Sequence, residues 1–276
     1  MTTPPARSGS SARGTSSARG GSSARVDRAT TREIEDALGR GRTTLIVPLG
    51  STEQHGGHLP LATDTLIADA LAQRLAARRP EAWVLPALPL GCADEHLGFA
   101  GTMSLAESTL HAIVHDLLRS AAEHGFERAF VFSAHGGNAA ALARLARELE
   151  AGGAVLDTCV FTDFDAVFAA QSRAAAAFGV SPEAAGHHGG EWETSVLAAL
   201  EPALVRGDAI AAGYLADAEE AGALFYPRLD ARVPGGVVGD PRGADAGRGE
   251  AYLSAWVDVL EAAWASAFGP PGDPPR

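Results

Sequence analysis

The sequence contains no lysine, because all 22 of its basic residues are arginine. This absence excludes mechanisms that depend on a lysine side chain: a Schiff base, a Ser-Lys dyad and a P-loop nucleotide site. Cysteine is also scarce, with only Cys92 and Cys159, and these do not form a Cys-X-X-Cys pair. The sequence therefore predicts neither a disulfide framework nor a zinc knuckle, and it fits a cytoplasmic protein.

Positive charge is in the minority, since 34 acidic residues against 22 arginines give a formal net charge of −12. Binding to nucleic acid or to an anionic membrane needs a basic face, so we expect neither partner. No apolar run approaches the roughly 20 residues that span a bilayer. The N-terminus lacks the apolar region of a secretory signal, so none is expected.

Both ends of the chain have compositions that oppose a packed core. The N-terminal segment contains an imperfect repeat, SSARGT, SSARGG and SSARVD. Such a segment buries too little apolar surface to offset the entropy lost on ordering. We predict a disordered tail at 1–26, a single domain at 27–268 and a flexible end at 269–276. A transit peptide is the alternative for the tail, which however lacks an apolar helical face.

Between these ends, apolar runs of strand character alternate with segments of helical periodicity. The strand-like runs are TTLIVPLGS, AWVLPALPLG, ERAFVFSA and AVLDTCVFTDF. This alternation predicts an α/β fold with a mostly parallel sheet that helices cover on both faces. Ligands in such folds bind at the carboxyl ends of strands, where polar clusters occur here. Residues 201–250 are rich in Gly, Pro and Asp, and we expect loops and short strands over the site.

The first polar cluster lies in VPLGSTEQHGGHLPLATDT, directly after a predicted strand. Glu53 and His55 are two residues apart, so in an extended segment they point to the same side. The intervening glycines and proline suit a tight return loop that brings Asp64 back to bridge two cations. Carboxylate and imidazole ligands suit Zn²⁺, Mn²⁺ or Fe²⁺. The alternative, Asp64 capping the next helix, leaves Glu53 and His55 unexplained.

Two later clusters fall at comparable positions. SAHGGN places His135 at a strand end beside glycines that let a ligand approach, unless it is only a turn whose Asn138 caps the next helix. GHHGGEWETS offers His188, Glu191 and Glu193 ahead of a predicted helix. The dipole favours acidic residues in the first turn of a helix, which is the alternative interpretation of Glu191.

A further segment, GCADEHLGFAGTMSL, offers Glu95 and His96 as residues that line a substrate pocket. A polar loop that closes on Phe99 explains them nearly as well. Trp192 is a candidate apolar wall for a flat substrate, with a core position as the equal alternative. Ser133 lacks a GxSxG elbow and neither cysteine has a signalled base, so metal-activated water is favoured over a nucleophilic triad.

Taken together, these segments resemble the creatininase (creatinine amidohydrolase) family over residues 41–265. Five of them match the family's signatures in order: PLGSTEQHGGHLPLATDT, LPLGCADEHLGFAGTMSL, SAHGGN, HHGGEWETS and GGVVGDPRGADAGRGEAY. The resemblance implies a three-layer α/β/α sandwich that often assembles as a homohexamer. It also implies a site with two divalent metal ions (Zn, Mn or Fe) that hydrolyses non-peptide C–N bonds, often in cyclic amides.

The same resemblance implies roles for individual residues. Glu53 would bind one metal ion, His55 would bind the other, and Asp64 would bridge the two. His135 would complete the ligands of the first ion. His58 has no such role and is expected to pack in the loop or to orient a ligand.

The sequence departs from creatininase itself at Gly137, where that enzyme has a Glu ligand two residues after the histidine. This departure leaves Glu193 as the candidate fifth ligand and makes creatinine a less favoured substrate. His188 matches the histidine suggested to pass a proton to the leaving nitrogen. Either Glu191 or Glu193 would accept the proton of the water.

We therefore expect a metal-dependent amidohydrolase that acts on a small amide, cyclic amide or formamide with metal-activated water. A peptidase of the mycofactocin precursor is an alternative within the family, because its members share these motifs. An alternative of another class is a non-catalytic, metal-stabilised oligomeric binding protein. It is less favoured, since structural zinc sites usually close with four Cys or His ligands and this loop is rich in carboxylates.

Overall fold

The computed structural model describes residues 24–270. Residues 1–23 and 271–276, which hold most of the predicted tail and C-terminal end, lie outside the described residues. Residues 24–26 fall in the predicted tail, yet they pack on the domain. Ala24 O accepts a hydrogen bond from Val84 N (2.8 Å), and Arg25 forms an ion pair with Asp69. The domain therefore includes this short segment.

Strands and helices alternate along residues 24–270, which contain four strands and nine α-helices. In chain order these are α1 (Thr31–Leu38), β1 (Thr44–Leu49), α2 (Thr63–Arg78), β2 (Ala82–Val84), α3 (Glu107–Glu123), β3 (Arg128–Ser133), α4 (Ala139–Glu148), β4 (Asp157–Val160), α5 (Phe164–Ala177), α6 (Pro182–Ala185), α7 (Glu191–Leu200), α8 (Ala218–Leu224) and α9 (Ala246–Phe268). The strands form one sheet in the order β2-β1-β3-β4, and all three pairings are parallel. The predicted parallel sheet is confirmed.

The strands divide the core between the two faces of this sheet, because successive strand residues point to opposite sides. In β1, Leu45, Val47 and Leu49 pack with α1, α3 and α4, whereas Ile46 packs with α2, α5, α7 and α9. Every residue of β1 is buried, which explains why the strand reads as a continuous apolar run. These two helical layers and the sheet make the expected three-layer α/β/α sandwich.

Two elements differ from the prediction. The expected strand AWVLPALPLG shortens to β2, because Pro86 and Pro89 have no N–H to donate to a ladder. The helix α5 is missing from the sequence-based interpretation. It is rich in alanine, a strong helix former, and the Asp163 side chain caps it by accepting from Ala166 N (2.9 Å).

Residues 201–250 cover the loop before α7. The prediction of short strands in this segment is wrong. Within this described segment, β-type pairing is limited to single bridges, in which Val238 pairs with Tyr214 and with His188. Gly and Pro interrupt the segment too often for a longer ladder. None of the described helices is both long and apolar enough to cross a bilayer.

Candidate metal centre

Parallel pairing brings the loops after β1 and β3 side by side, since Leu49 and Ser133 are register partners at the strand ends. Glu53 and His135 follow these ends, and His135 Nδ1 lies 3.1 Å from Glu53 Oε2. Ser51 Oγ donates a hydrogen bond of 2.8 Å to the same carboxylate oxygen and so orients Glu53. Two segments that are far apart in sequence therefore meet at one edge of the sheet.

Asp64 joins them from the first turn of α2. The chain returns through a glycine-rich loop in which Gly56 has a φ of +69°, a conformation that L side chains rarely adopt. Asp64 Oδ1 lies 3.2 Å from His55 Nε2, and Asp64 Oδ2 lies 3.4 Å from His135 Nδ1. Asp64 therefore lies between the two histidines.

Glu193 approaches from α7, and its Oε1 lies 3.7 Å from His55 Nε2. Side chains at this edge form groups whose ligand atoms all lie within 4.8 Å of one another. One group contains Glu53, Asp64 and His135, a second contains His55, Asp64 and Glu193, and a third contains Glu53, His55 and His188. The first two, which we call the metal-ligand cluster, share the Asp64 carboxylate.

Backbone carbonyls orient both histidines of this cluster. His135 Nε2 donates to Cys92 O (2.8 Å), and His55 Nδ1 lies 3.3 Å from Glu53 O. Because a carbonyl oxygen only accepts, these two nitrogens carry a hydrogen. The other nitrogen of each ring faces the carboxylates, which is the orientation of a metal-binding histidine.

The charges in the cluster are balanced internally. Burial opposes the charged form of His55 and His135, but the neighbouring carboxylates raise the pKa of both rings well above the normal value. Burial also disfavours ionised Asp64, yet His55 holds its pKa far below the usual range. Burial raises the pKa of Glu53. A divalent cation would replace the extra protons of the histidines, since metal ligands must be deprotonated.

Three buried atoms in the cluster form no hydrogen bond of good geometry within residues 24–270: Glu53 Oε1, His55 Nε2 and Asp64 Oδ2. The last two each lie 3.2–3.4 Å from an ion-pair partner, whereas Glu53 Oε1 is 3.4 Å from His96 Nε2. A buried polar atom without a partner costs about 1–3 kcal/mol. Imidazole nitrogen and carboxylate oxygen form the donor set that suits Zn²⁺, Mn²⁺ and Fe²⁺. The residues present therefore fit a metal-binding site.

A stack of histidine rings covers the cluster. His188 lies between His55 and His96, with ring-centre distances of 4.2 and 4.3 Å. Gln54, which sequence reasoning misses, supports the stack: its Nε2 lies 3.1 Å from His96 Nδ1, and His188 Nε2 lies 2.5 Å from Gln54 O. Burial lowers the pKa of His96 to about 3 and that of His188 well below the normal value. Both rings are therefore neutral at neutral pH.

Glu191 lies outside the metal-ligand cluster, although it is buried. Its Oε1 accepts from Ser195 Oγ (2.8 Å) and Arg248 Nε (2.7 Å), and its Oε2 accepts from Tyr252 OH (2.7 Å). Both carboxylate oxygens are thus occupied by donors that tie α7 to α9. The expectation that Glu191 accepts a proton from water needs correction, and Glu193 is the acidic residue of α7 that faces the cluster.

An open cleft of about 400 Å³ leads to the cluster. Glu95 and His96 line it, where the sequence analysis expects them, beside Glu53, His135 and His188. Aromatic residues that the sequence analysis does not single out form part of its wall: Phe168, Phe225 and Tyr226. We call this space the outer cleft.

Two other candidates from the sequence have supporting positions. Trp192 is only 4% exposed, packs edge-on against Trp256 with ring centres 5.7 Å apart, and does not line the outer cleft. Trp192 therefore packs in the core, and its side chain also lines a small internal space beside Asp64 and Glu193. His58 Nε2 lies 2.9 Å from Thr194 Oγ1, which links the loop after β1 to α7.

Gly137 leaves no room for a side chain. A Cβ at this position would lie 2.3 Å from both Glu95 Oε1 and His135 Nε2, and 2.5 Å from Cys92 O. The Glu95 carboxylate therefore occupies the space next to His135 that a residue at 137 would enter. Burial raises the pKa of Glu95.

The fold and the site define an α/β enzyme with a metal-binding cluster at the carboxyl ends of parallel strands. The family model named creatininase, with the description creatinine amidohydrolase, matches residues 27–264. The chain therefore belongs to the creatininase family, and it is a hydrolase of that family. This finding disfavours the alternative of a non-catalytic binding protein.

Two relatives with known names illustrate the range within the family. The mycofactocin precursor peptide peptidase of Mycobacterium ulcerans is 36% identical over 226 residues, which cover 78% of this chain and 82% of the relative. The creatinine amidohydrolase of Pseudomonas putida is 30% identical over 266 residues, which cover 89% of this chain and 97% of the relative.

Solved structures support the same fold. A crystal structure of creatininase aligns with a TM-score of 0.71 at 28% identity and covers 89% of this chain and 98% of its own. A structure described as Creatininase Mn also aligns with a TM-score of 0.71, at 27% identity, and covers 89% of this chain and 99% of its own. The three-layer sandwich is thereby confirmed.

Proposed function

We propose that the chain is a two-metal hydrolase that cleaves an amide C–N bond in a non-peptide substrate. The observation that carries this proposal is the position of Asp64, whose carboxylate belongs to both halves of the metal-ligand cluster. Glu53, Asp64 and His135 would hold one ion, and His55, Asp64 and Glu193 would hold the other. Zinc, manganese and iron all suit these ligands.

Such ions, when bound, would lower the pKa of a water and polarise the substrate carbonyl. The protein must then move the proton of that water to the leaving nitrogen. Glu193 serves as a ligand and Glu191 is tied to α9, so neither is available. His188 is the candidate for this transfer, since its Nδ1 lies 3.7 Å from Glu53 Oε1. Its Nε2 lies 2.5 Å from Gln54 O and 2.9 Å from Gln54 Nε2, so Gln54 positions the ring.

The neutral state of His188 suits this transfer. In the tautomer that donates from Nε2 to Gln54 O, Nδ1 carries a lone pair, and His188 lines the outer cleft. Nδ1 can accept the proton of the attacking water and then donate it to the nitrogen as the C–N bond breaks. The stacked rings of His55 and His96 hold the His188 ring in place for both steps.

A second candidate is a peptidase that acts on a precursor peptide. The outer cleft favours it, because exposed aromatic side chains such as Tyr226 (64% exposed) offer stacking surfaces beside the metal-ligand cluster. The mycobacterial relatives with the name mycofactocin precursor peptide peptidase, at 35–36% identity, favour it as well.

One experiment tests both candidates. The purified full-length chain is analysed for bound zinc, manganese and iron, and is then incubated with cyclic amides, formamides and short peptides. Release of ammonia, amine or formate with two metal ions per chain supports the first proposal, and cleavage of peptides alone supports the second. A chain that holds its metal ions but cleaves none of these compounds would contradict both.

Assembly and location are also proposals. We infer a homo-oligomer, a hexamer by resemblance to the family, which light scattering of the purified chain tests. A cytoplasmic location fits the scarcity of cysteine.

A further inference from the structure

A second, smaller space of about 50 Å³ lies against the metal-ligand cluster. We call it the inner chamber. Asp64 and Glu193 line one side of it, and the other side is formed by Gln171 of α5, Trp192 of α7 and Trp256 of α9. It shares Glu53, His135, His187 and His188 with the wall of the outer cleft. The outer cleft and the inner chamber therefore both adjoin the metal-ligand cluster.

Gln171 is the unusual residue of the inner chamber. Its side chain is only 3% exposed, yet neither Nε2 nor Oε1 has a hydrogen-bond partner among the residues that the structure describes. The same holds for the indole Nε1 atoms of Trp192 and Trp256. A buried amide without a partner costs about 1–3 kcal/mol. Leucine would avoid that cost, so the glutamine points to a ligand.

The chemistry of the chamber walls restricts this ligand. Gln171 presents a donor and an acceptor side by side, which matches the edge of another amide. Among the described lining residues there is no arginine, the chain has no lysine, and Asp64 and Glu193 contribute carboxylates. An anionic group would be drawn to His135 and to metal ions held by the metal-ligand cluster, and Gln171 would offer it no charge. A neutral, planar amide would be satisfied on both of its polar atoms.

The size of the chamber is also restrictive. One water needs about 10–15 Å³ of such volume, so this space holds about three to five waters or one small planar group. A carboxamide, a ureido group or the edge of a lactam is of this size. A larger side chain would have to remain in the outer cleft.

We propose that the inner chamber is a specificity subsite for a neutral amide group at one end of the substrate. Gln171 donates from Nε2 to the carbonyl of that group and accepts its N–H at Oε1. Gln171 is then a specificity-determining residue that places the neighbouring scissile bond at the metal-ligand cluster. This inference rests on the proposed amide hydrolysis and narrows its substrate class.

Two small probes of similar size test the proposal on the metal-loaded, full-length chain. Acetamide carries the matching edge, whereas acetate is a probe that the metal ions themselves attract. Binding of each is measured by ligand-observed NMR on the unmodified chain and on Gln171→Leu. We expect Gln171→Leu to weaken acetamide binding about tenfold, the equivalent of 1.4 kcal/mol, and to leave acetate binding and metal content unchanged.

Controls separate this role from a structural one. Gln73→Leu makes the same change at an exposed position of α2 and should alter neither probe. The unfolding midpoint of Gln171→Leu should equal or exceed that of the unmodified chain, because the change removes an unsatisfied buried amide. If that variant does not fold, Gln171→Met preserves the length of the side chain and takes its place.

Equal affinity of acetamide for the unmodified chain and the variant would overturn the subsite, as would a parallel loss of acetate binding. Neither result depends on turnover. If the chain hydrolyses amides but Gln171→Leu does not change acetamide binding, the subsite is wrong and the proposed function stands. If Gln171→Leu weakens acetamide binding but the chain hydrolyses no amide, the subsite stands and the proposed function is wrong.

Discussion

Glu191 and Glu193 are two residues apart on α7, so their side chains point about 200° apart around the helix. Both are buried, at 2% and 4% exposure. Glu191 faces α9 and accepts hydrogen bonds from Ser195, Arg248 and Tyr252. Glu193 instead faces His55 in the metal-ligand cluster. The protein thus supplies a cation, Arg248, for Glu191, whereas Glu193 is the carboxylate that we propose as a metal ligand.

The largest effect on activity is expected from Asp64→Asn, in the metal-ligand cluster that Glu193 faces. The substitution keeps the shape but removes the charge that both halves of the cluster share. Both metal ions should be lost and turnover should fall more than about 100-fold, since changing even the partners of metal ligands costs 10- to 100-fold. Metal analysis and turnover assays check this. Asp116→Asn, exposed on α3, is the control and should change neither.

A smaller effect is expected from Glu193→Gln, because it removes a ligand from only one half of the cluster. The half with Glu53 and His135 remains intact, so metal content should fall to about one ion per chain. Turnover should fall at least about tenfold. Two ions retained at full turnover would show that Glu193 is not a ligand.

Glu191→Gln should have the opposite pattern. The two metal ions should remain, while the free energy of unfolding should fall by roughly 3 kcal/mol, because Arg248 loses the charge of its buried partner. Urea denaturation with parallel metal analysis measures both quantities. Loss of metal without loss of stability would place Glu191 in the metal centre and break the comparison.

The smallest effect is expected from Tyr252→Phe, which removes one of the three donors to Glu191. A hydrogen bond to a charged group contributes about 1.5–3 kcal/mol, and the stability should fall by no more than this. Tyr226→Phe, at the exposed wall of the outer cleft, is the matched control for stability. An equal loss in both variants would show that the Tyr252 hydroxyl has no special role in stability.

Much of the metal side follows from sequence spacing. Glu53 and His55 share a side because they are two apart in an extended segment, and the glycine-rich loop signals the return to Asp64. His135 follows from its place at a strand end, since the carboxyl ends of parallel strands meet. Local patterns are enough for each of these residues.

The hydrogen bonds between Glu191 and helix α9 could not be predicted from local sequence patterns. Arg248 and Tyr252 lie more than 50 residues from Glu191, so nothing local indicates which acidic residue of α7 they hold. Gln54 and Gln171 carry no charge and resemble ordinary polar residues in sequence. Their importance arises from burial, which only the packing of α5, α7 and the loop after β1 creates.

The contact between Gly137 and Glu95 also limits how this chain could change during evolution. A Glu at 137 would have to displace both the Glu95 carboxylate and the Cys92 carbonyl. A single substitution is therefore expected to damage the site before it adds a ligand, which is a case of epistasis. Residue 137 and the 91–105 loop are therefore expected to change together, because a side chain at 137 needs the space that Glu95 and Cys92 occupy.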